Sequence, residues 1–228
     1  MPPLNSFQTW GRLADTGEPI EPKRRLFLVY EGVRTEPAYF DSLIDLLNRK
    51  RLPRYIAVNS CEKTDEDAGA SNPIKLLDLA AGLRKSNPTY RDGDEIAIIF
   101  DADIYKQDQK KYAEVLRSAA DQGIQAYVTF PSFELFLLLH LPKGFETWIE
   151  PNAAEILENK KQGGRRYLDK LFSRASGINA KRGLRVGKLA DAYEAAIEQE
   201  GMINQDNWKA IGMLTSSVGL LIKHMIMN

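Results

Sequence analysis

A short apolar run in this chain ends in two aspartates separated by one residue: residues 96–105 read IAIIFDADIY. Such a run is typical of a strand buried on both faces, as in a parallel sheet covered by helices. If the backbone stays extended where the strand ends, Asp101 and Asp103 project to the same side. Two close carboxylates repel each other, and a divalent cation would stabilise them. The alternative is that Asp101 caps the next helix and Asp103 faces solvent.

Other apolar runs alternate with helical patterns in the same part of the chain. They predict further strands at residues 25–30, 55–59 and 124–130, separated by segments with helical periodicity. The connections are short enough for right-handed crossovers, which place successive strands parallel in one sheet. The sequence therefore predicts an α/β, Rossmann-like core of about four parallel strands with helices on both faces.

Composition and hydrophobic periodicity divide the chain into three parts. Residues 1–22 are polar, contain four prolines and show no periodicity, which predicts a flexible or docking arm. Residues 23–142 contain the predicted α/β core. Residues 143–228 show no strand pattern and predict a helical annex, with helices near residues 150–161, 165–175, 187–199 and 208–227.

The net charge of zero hides a strong asymmetry. Residues 160–188 contain ten Lys or Arg and one acid, Asp169, so this segment is +9 and the remainder is −9. A segregated basic segment favours a polyanion partner such as DNA or RNA, and the alternative is a solvated helical face. The candidate nucleic-acid contacts are Arg165, Arg166, Lys181 and Arg182.

Four acids follow the predicted strands. Glu31 follows the first strand, Asp101 and Asp103 the third, and Glu134 the fourth. Ligands of open α/β sheets bind outside the carboxyl ends of the strands, so these acids are expected to lie along one edge. Mg²⁺ or Mn²⁺ there would make a phosphodiester a natural ligand and support its hydrolysis. For Glu134, a purely structural alternative is that the backbone amides at the N-terminus of its own helix bind its carboxylate.

Several classes of protein are disfavoured. The chain contains neither GxxxxGK[ST] nor GxGxxG, so it is not expected to bind ATP itself. One cysteine and two distant histidines disfavour a zinc site, a disulfide and a Ser or Cys triad; His140 is expected in the core. Phosphatases with a nucleophilic DxD aspartate place that motif after the first strand, whereas here it follows the third. With no signal peptide and no stretch of about 20 apolar residues, a cytosolic protein is expected.

Three segments together resemble a known family. They read LVYEGVRTEPAYF, IIFDADIY and TFPSFELFLLLH, and they are similar in order and content to the RloB (AbiLii-type) family of bacterial phage-defence proteins, which has a Toprim-like fold. The resemblance spans about residues 24–141. It implies that Glu31 is a general acid/base, that Asp101 and Asp103 are the DxD metal ligands, and that Glu134 is the acid of the family's Phe-Glu motif.

The same resemblance has implications for the substrate and for partners. Arg34 and Glu36 fall in the EGxxTE loop, where Arg34 is placed to meet a phosphate. The resemblance also implies an ATPase partner of the AAA or ABC kind encoded nearby. The leading hypothesis is a Mg²⁺- or Mn²⁺-dependent Toprim-type nuclease acting in defence. The alternative is a catalytically silent regulatory or sensor subunit that binds an ATPase or nucleic acid and uses its acidic edge as a structural cation site.

Overall fold

A computed structural model describes residues 24–52, 56–61, 72–180 and 185–227. The predicted arm at residues 1–22 and two of the predicted nucleic-acid contacts, Lys181 and Arg182, lie outside these ranges. No helix in the described ranges is both long enough and apolar enough to cross a membrane.

The described chain alternates strands and helices in its first half and is mainly helical afterwards. In order, the elements are β1 (Arg24–Tyr30), α1 (Thr35–Arg49), β2 (Ile56–Cys61), α2 (Pro73–Ser86), β3 (Glu95–Asp101), a 3₁₀ helix (Ala102–Tyr105), α3 (Gln109–Asp121), β4 (Gln125–Phe130), α4 (Glu134–Leu138), a π-helix (Phe145–Ile149), a 3₁₀ helix (Glu150–Asn152), α5 (Ala153–Glu158), β5 (Lys161–Gln162), β6 (Arg165–Arg166), α6 (Tyr167–Ser176), a 3₁₀ helix (Val186–Ala192), α7 (Tyr193–Glu200), a 3₁₀ helix (Asn207–Lys209), β7 (Thr215–Ser216) and α8 (Val218–Met227).

The central sheet has the strand order β2-β1-β3-β4-β7. Its first four strands are parallel, and β7 pairs antiparallel with β4. The predicted α/β core of about four parallel strands is therefore confirmed. In this order β1 and β3 are neighbours, as are β3 and β4, so the carboxyl ends of three consecutive strands lie side by side.

Side chains along each strand alternate between the two faces of the sheet, and helices cover both faces. In β1, Leu26 and Leu28 belong to a hydrophobic cluster with α1, α4 and the later helices, whereas Phe27 and Val29 belong to a second cluster with α2 and α3. Successive strand residues point to opposite faces, so each face of the sheet is buried under its own set of helices. This explains why the strands are apolar at nearly every position.

The predicted annex contains strands, contrary to the sequence-based expectation. β5 and β6 form a small antiparallel hairpin, and β7 extends the central sheet. Each of these strands has only two residues, which is too short to produce an alternating pattern in the sequence. Residues of the annex such as Leu168, Val186 and Leu221 share the hydrophobic cluster of α1 and α4.

The segment after β4 is buried throughout. Residues 131–140 are all buried, although only Glu134–Leu138 is regular α-helix. His140 lies in this segment: its Nε2 is 2.8 Å from the hydroxyl of Tyr39, and its Nδ1 is 3.0 Å from the carbonyl oxygen of Phe136. Both ring nitrogens have partners inside the protein, as expected for a core histidine.

Candidate carboxylate site

Glu31 is positioned by the ladder between β1 and β3. Its backbone N–H donates to the carbonyl oxygen of Ile99 at 2.9 Å, which extends the strand pairing by one residue. Its side-chain Oε2 accepts a hydrogen bond of 2.9 Å from the backbone N–H of Asp101. The predicted neighbourhood of Glu31 and Asp101 is thus made by direct contact at the carboxyl edge of adjacent strands.

Asp101 has a second partner on the other side. It is paired in register with Thr129 of β4, and the Thr129 hydroxyl donates a hydrogen bond to its Oδ1. Thr129 is fully buried. Register partners on adjacent strands point to the same face of the sheet, so the hydroxyl reaches the carboxylate directly. Sequence reasoning did not assign Thr129 to the site, because threonine is common in strands.

Glu36 is a further acid of this site that the sequence analysis noted only as part of a loop motif. It lies in the first turn of α1 and is only 8% exposed. The loop before the helix makes room for it at Gly32, where an added Cβ would lie 2.0 Å from Glu36 Oε2. The glycine that follows Glu31 therefore lets the backbone pass close to a buried carboxyl group.

The carboxyl groups disfavour one another's ionisation. Removal from water raises the pKa of Glu36 to about 7, and the charges of Glu134 and Glu31 add to that rise. For Asp101, removal from water again raises the pKa well above its usual range, with contributions from Glu31, Glu36 and Glu134, while the Thr129 hydrogen bond opposes the rise. Four acids that follow three neighbouring strands thus lie in one group of mutually repelling carboxylates, which a bound proton or cation would stabilise.

Glu134 enters this group from the start of α4. It is 9% exposed, and its Oε2 accepts a 2.7 Å hydrogen bond from the Ser132 hydroxyl. Ser132 lies two residues earlier and holds the carboxylate in place. The negative charge of Glu134 contributes to the raised pKa of both Glu36 and Asp101. Glu134 therefore lies close enough to both acids to affect their ionisation, which is in keeping with the hypothesis that it joins the acids at the sheet edge.

Asp103 makes a different contact from Asp101. The chain leaves the extended conformation at Ala102, where the 3₁₀ helix begins, so the condition for the two aspartates to project together is not met. The Asp103 Oδ2 instead forms an ion pair with the guanidinium of Arg166 on β6. A basic residue of the annex thus reaches the carboxyl edge of the core.

The three predicted phosphate contacts within the described ranges differ in their surroundings. Arg34 is exposed just before α1. Arg165 donates to the carbonyl oxygen of Asp169 at 3.0 Å and to the Ser173 hydroxyl at 2.7 Å, so its guanidinium is held against α6. Arg166 is paired with Asp103. Arg34 lies between Glu31 and Glu36 in the sequence. Arg166 is close to a predicted ligand in space, through its ion pair with Asp103.

The acids fit a hard divalent cation in donor chemistry, since Mg²⁺ and Mn²⁺ prefer carboxylate oxygens. Burial and like charges raise the pKa of Asp101 and of Glu36, so a positive charge placed among them would stabilise their ionised forms. As the side chains stand, no three His, Cys, Asp or Glu residues in the described ranges are arranged to hold one ion. Binding would therefore require side-chain movement, and Asp103 would have to leave Arg166.

The fold and this edge define a class: an α/β protein with a Rossmann-like, mostly parallel sheet and a carboxylate site at the carboxyl ends of its strands. The model of the RloB-like protein family matches residues 26–225, and the chain belongs to that family. The match extends past the core into the annex, where the sequence analysis had recognised no family motif. Searches of curated proteins and of solved structures found no match to the chain.

Proposed function

We propose that the protein is a Mg²⁺- or Mn²⁺-dependent nuclease that hydrolyses phosphodiester bonds of DNA or RNA, with a Toprim-like site at the carboxyl edge of the sheet. Membership of the RloB-like family implies a role related to phage defence. In this proposal Asp101, Asp103 and Glu31 hold the cation, Glu31 also serves as general acid/base, and Glu134 completes the acidic site.

The observation that supports this proposal most is the gathering of four carboxylates at one edge of the sheet: Glu31, Glu36, Asp101 and Glu134. Carboxylates are seldom buried together without a role, because each one raises the cost of ionising the others. Burial, with a smaller contribution from the neighbouring carboxylates, raises the pKa of Glu36 to about 7 and that of Asp101 well above its usual range. A divalent cation reverses this balance and makes the same edge attractive to a phosphate.

The chemistry assigned to these residues is hydrolysis of a phosphate diester. A water oxygen forms the new bond to phosphorus, and the bond from phosphorus to one ester oxygen breaks. The departing oxygen gains a proton, and the attacking water loses one. Glu31 is suited to move a proton at this edge because its Oε2 is oriented by the Asp101 N–H at 2.9 Å. A bound divalent cation would supply charge neutralisation for the phosphate oxygens.

One observation favours a second candidate function. Asp103 is already neutralised by Arg166, and no three-ligand arrangement is present within the described ranges. A subunit that binds nucleic acid or an ATPase without cutting would not need a complete set of metal ligands. From the family resemblance, we also propose an AAA- or ABC-type ATPase as a partner, which co-purification from the native operon tests.

A cleavage assay separates the two functions. Wild type, Asp101→Asn and the control Asp121→Asn would be incubated with single- and double-stranded DNA and RNA, each with Mg²⁺, Mn²⁺ or EDTA, with and without the partner ATPase. Asp121 is exposed at the end of α3, so its variant controls for loss of an aspartate. The nuclease proposal predicts metal-dependent cleavage that falls at least about 100-fold in Asp101→Asn alone. Cleavage unchanged in Asp101→Asn refutes the assigned site, and no cleavage of any substrate favours the silent subunit.

A further inference from the structure

A small groove lies between the β5–β6 hairpin and α6. It has a volume of about 200 Å³ and is lined by Gln162 of β5 and by four residues of α6: Tyr167, Lys170, Leu171 and Arg174. The residues of α6 follow one another at helical spacing, so they share one face of the helix. Within the described ranges, the lining thus contains two cations, an aromatic ring and an amide, and no acid.

The hairpin forms the second wall of the groove. Gln162 is paired with Arg165, and register partners of an antiparallel ladder point to the same face. Arg165 donates to the carbonyl oxygen of Asp169 and to the Ser173 hydroxyl, so this face of the hairpin is turned towards α6. Arg165 therefore fastens the wall to the helix.

Lys170 and Arg174 have positive charges that no carboxylate neutralises. Neither forms an ion pair in the part of the chain that the structure describes, whereas Lys160 is paired with Glu158 at 2.8 Å. Arg174 is exposed, and its guanidinium lies over the ring of Trp148, 5.7 Å from the ring centroid. A cation–π contact orients a guanidinium without neutralising it, so Arg174 remains able to bind an anion.

The aromatic ring of the groove is held in place as well. The Tyr167 hydroxyl donates to Asn152 Oδ1 at 2.7 Å, and the Asn152 side-chain amide donates to the carbonyl oxygen of Trp148 at 2.9 Å. The ring is therefore fixed in the groove that also contains the two cations. Proteins that bind single-stranded nucleic acid combine cations for the phosphates with aromatic rings on which unpaired bases stack.

The size and charge of this region indicate what kind of ligand it fits. Pockets that enclose a free small-molecule ligand usually have volumes of about 300–1,000 Å³, and the groove, at about 200 Å³, is smaller than these. It fits part of a polymer that continues across the surface better than a free nucleotide. The surrounding segment, residues 160–188, has a charge of +9, which favours a polyanion.

We propose that the groove between the β5–β6 hairpin and α6 binds a single strand of DNA or RNA. Lys170 and Arg174 contact backbone phosphates, and an unpaired base stacks on Tyr167. This inference rests on the proposed function for nucleic acid as the ligand, and it adds the form of the nucleic acid and the surface of the annex that receives it. The groove requires no metal ion and no contact from Arg165 or Arg166, which are both engaged within the protein.

Strand binding in EDTA tests the groove separately from cleavage. Fluorescence anisotropy would measure the affinity of the full chain for fluorescein-labelled single-stranded DNA and RNA, and for duplexes of the same sequence, over a range of salt concentrations. Circular dichroism would first show that each variant is folded. Lys170→Gln and Arg174→Gln should each weaken single-strand binding about tenfold. Each should also lower the slope of log affinity against log salt by about 0.7, because one phosphate contact is lost.

Further variants separate the groove from a general loss of charge. Lys75→Gln removes an exposed lysine of α2, which packs on the opposite face of the sheet from α6, and it should change the affinity by less than about twofold. Tyr167→Leu should weaken single-strand binding about tenfold at an unchanged salt slope, and it should leave duplex binding unchanged. Tyr167→Phe retains the ring and should bind within about threefold of wild type.

The groove is wrong if Lys170→Gln and Arg174→Gln both keep the wild-type affinity and salt slope, or if wild type binds no oligonucleotide. Displacement of the labelled strand by poly-glutamate as readily as by unlabelled oligonucleotide would overturn nucleic acid as the ligand and favour an acidic protein. Duplex binding as tight as single-strand binding, with no effect of Tyr167→Leu, would overturn the choice of a single strand.

The cleavage assay is scored independently of these measurements. If the groove variants lose binding as expected but wild type cleaves nothing with any metal, the groove stands and the nuclease function is wrong. If the groove variants bind like wild type and wild type cleaves, the groove is wrong and the nuclease function stands.

Discussion

Thr129 donates a hydrogen bond from β4 to the carboxylate of Asp101 on β3, and the two residues are register partners in the parallel sheet. This hydrogen bond favours the ionised form of Asp101 and opposes the rise in its pKa that burial and the neighbouring acids cause. The sheet therefore supplies both the crowding of carboxylates and a donor that favours the ionised form of one of them.

Replacing Thr129 by valine keeps the side-chain shape and removes this donor. The pKa of Asp101 should rise further, and Mn²⁺ affinity at pH 7 should fall about two- to tenfold, since about 0.5–1.5 kcal/mol of hydrogen bonding is lost. The measurements are calorimetric Mn²⁺ titration and carbon-13 NMR of the Asp101 carboxyl. Thr129→Ser retains the hydroxyl and is the matched control. Equal affinities for valine and serine variants would show that the hydroxyl does not position Asp101.

Glu36 should make the metal-free protein less stable as the pH rises. Its pKa is raised from 4.5 to about 7 in the fold, so the folded state prefers the protonated form. Its stability contribution is full below pH 4.5 and is lost as the pH rises through about 7, by up to about 3 kcal/mol. Denaturant unfolding in EDTA between pH 4.5 and 8 should show this loss, and Glu36→Gln should make it smaller; Asp101, whose pKa is also raised, contributes the loss that remains. The same pH dependence in wild type and Glu36→Gln would contradict the assignment.

His140 should contribute a pH dependence of opposite sign. Burial lowers its pKa from 6.5 to about 4, so the folded state prefers the neutral imidazole. Its stability contribution is present above pH 6.5 and is lost as the pH falls towards 4, by up to about 3 kcal/mol. Comparing unfolding of wild type and His140→Gln across this window isolates the contribution of His140 from that of Glu36. A difference between the two proteins that does not change with pH would show that His140 is not kept neutral.

Gly187 marks a close contact between the annex and α1. A Cβ there would lie 2.0 Å from the Ser42 Oγ and 2.9 Å from the Ala38 carbonyl oxygen. Gly187→Val should therefore lower the free energy of unfolding by about 1–3 kcal/mol through overpacking. Gly82, within α2, is the matched control, because a Cβ added there would have no atom within 4 Å; Gly82→Ala should raise stability by about 0.5–1 kcal/mol. Thermal or chemical unfolding measures both, and a neutral Gly187→Val would contradict this packing.

The α/β core could be predicted from the sequence because its strands and helices each leave a pattern in a short stretch of residues. Apolar runs alternating with helical periodicity define the parallel strands, and topology then places Glu31, Asp101 and Glu134 at one edge. The core position expected of His140 is also observed, in a segment, residues 131–140, that is apolar on nearly every side and buried throughout.

Other features depend on tertiary contacts that no local pattern encodes. The strand β7 pairs only two residues with β4, and Asp103 meets Arg166 across 63 positions of sequence. Asp103 also depends on where the strand ends: the 3₁₀ turn at Ala102 cancels the alternation that would have placed it beside Asp101. Glu36 and Thr129 were missed as site residues because a helix-start glutamate and a strand threonine are ordinary in their elements.

The most direct test of the central claim is a crystal structure of the protein grown with Mn²⁺, with the ion located by anomalous scattering. A manganese peak bound by Asp101 and Glu31 is expected, with Asp103 turned towards it and away from Arg166. A structure with no manganese at the carboxyl edge of β1 and β3, at Mn²⁺ concentrations that support any activity, would contradict the assignment of this edge as a metal site.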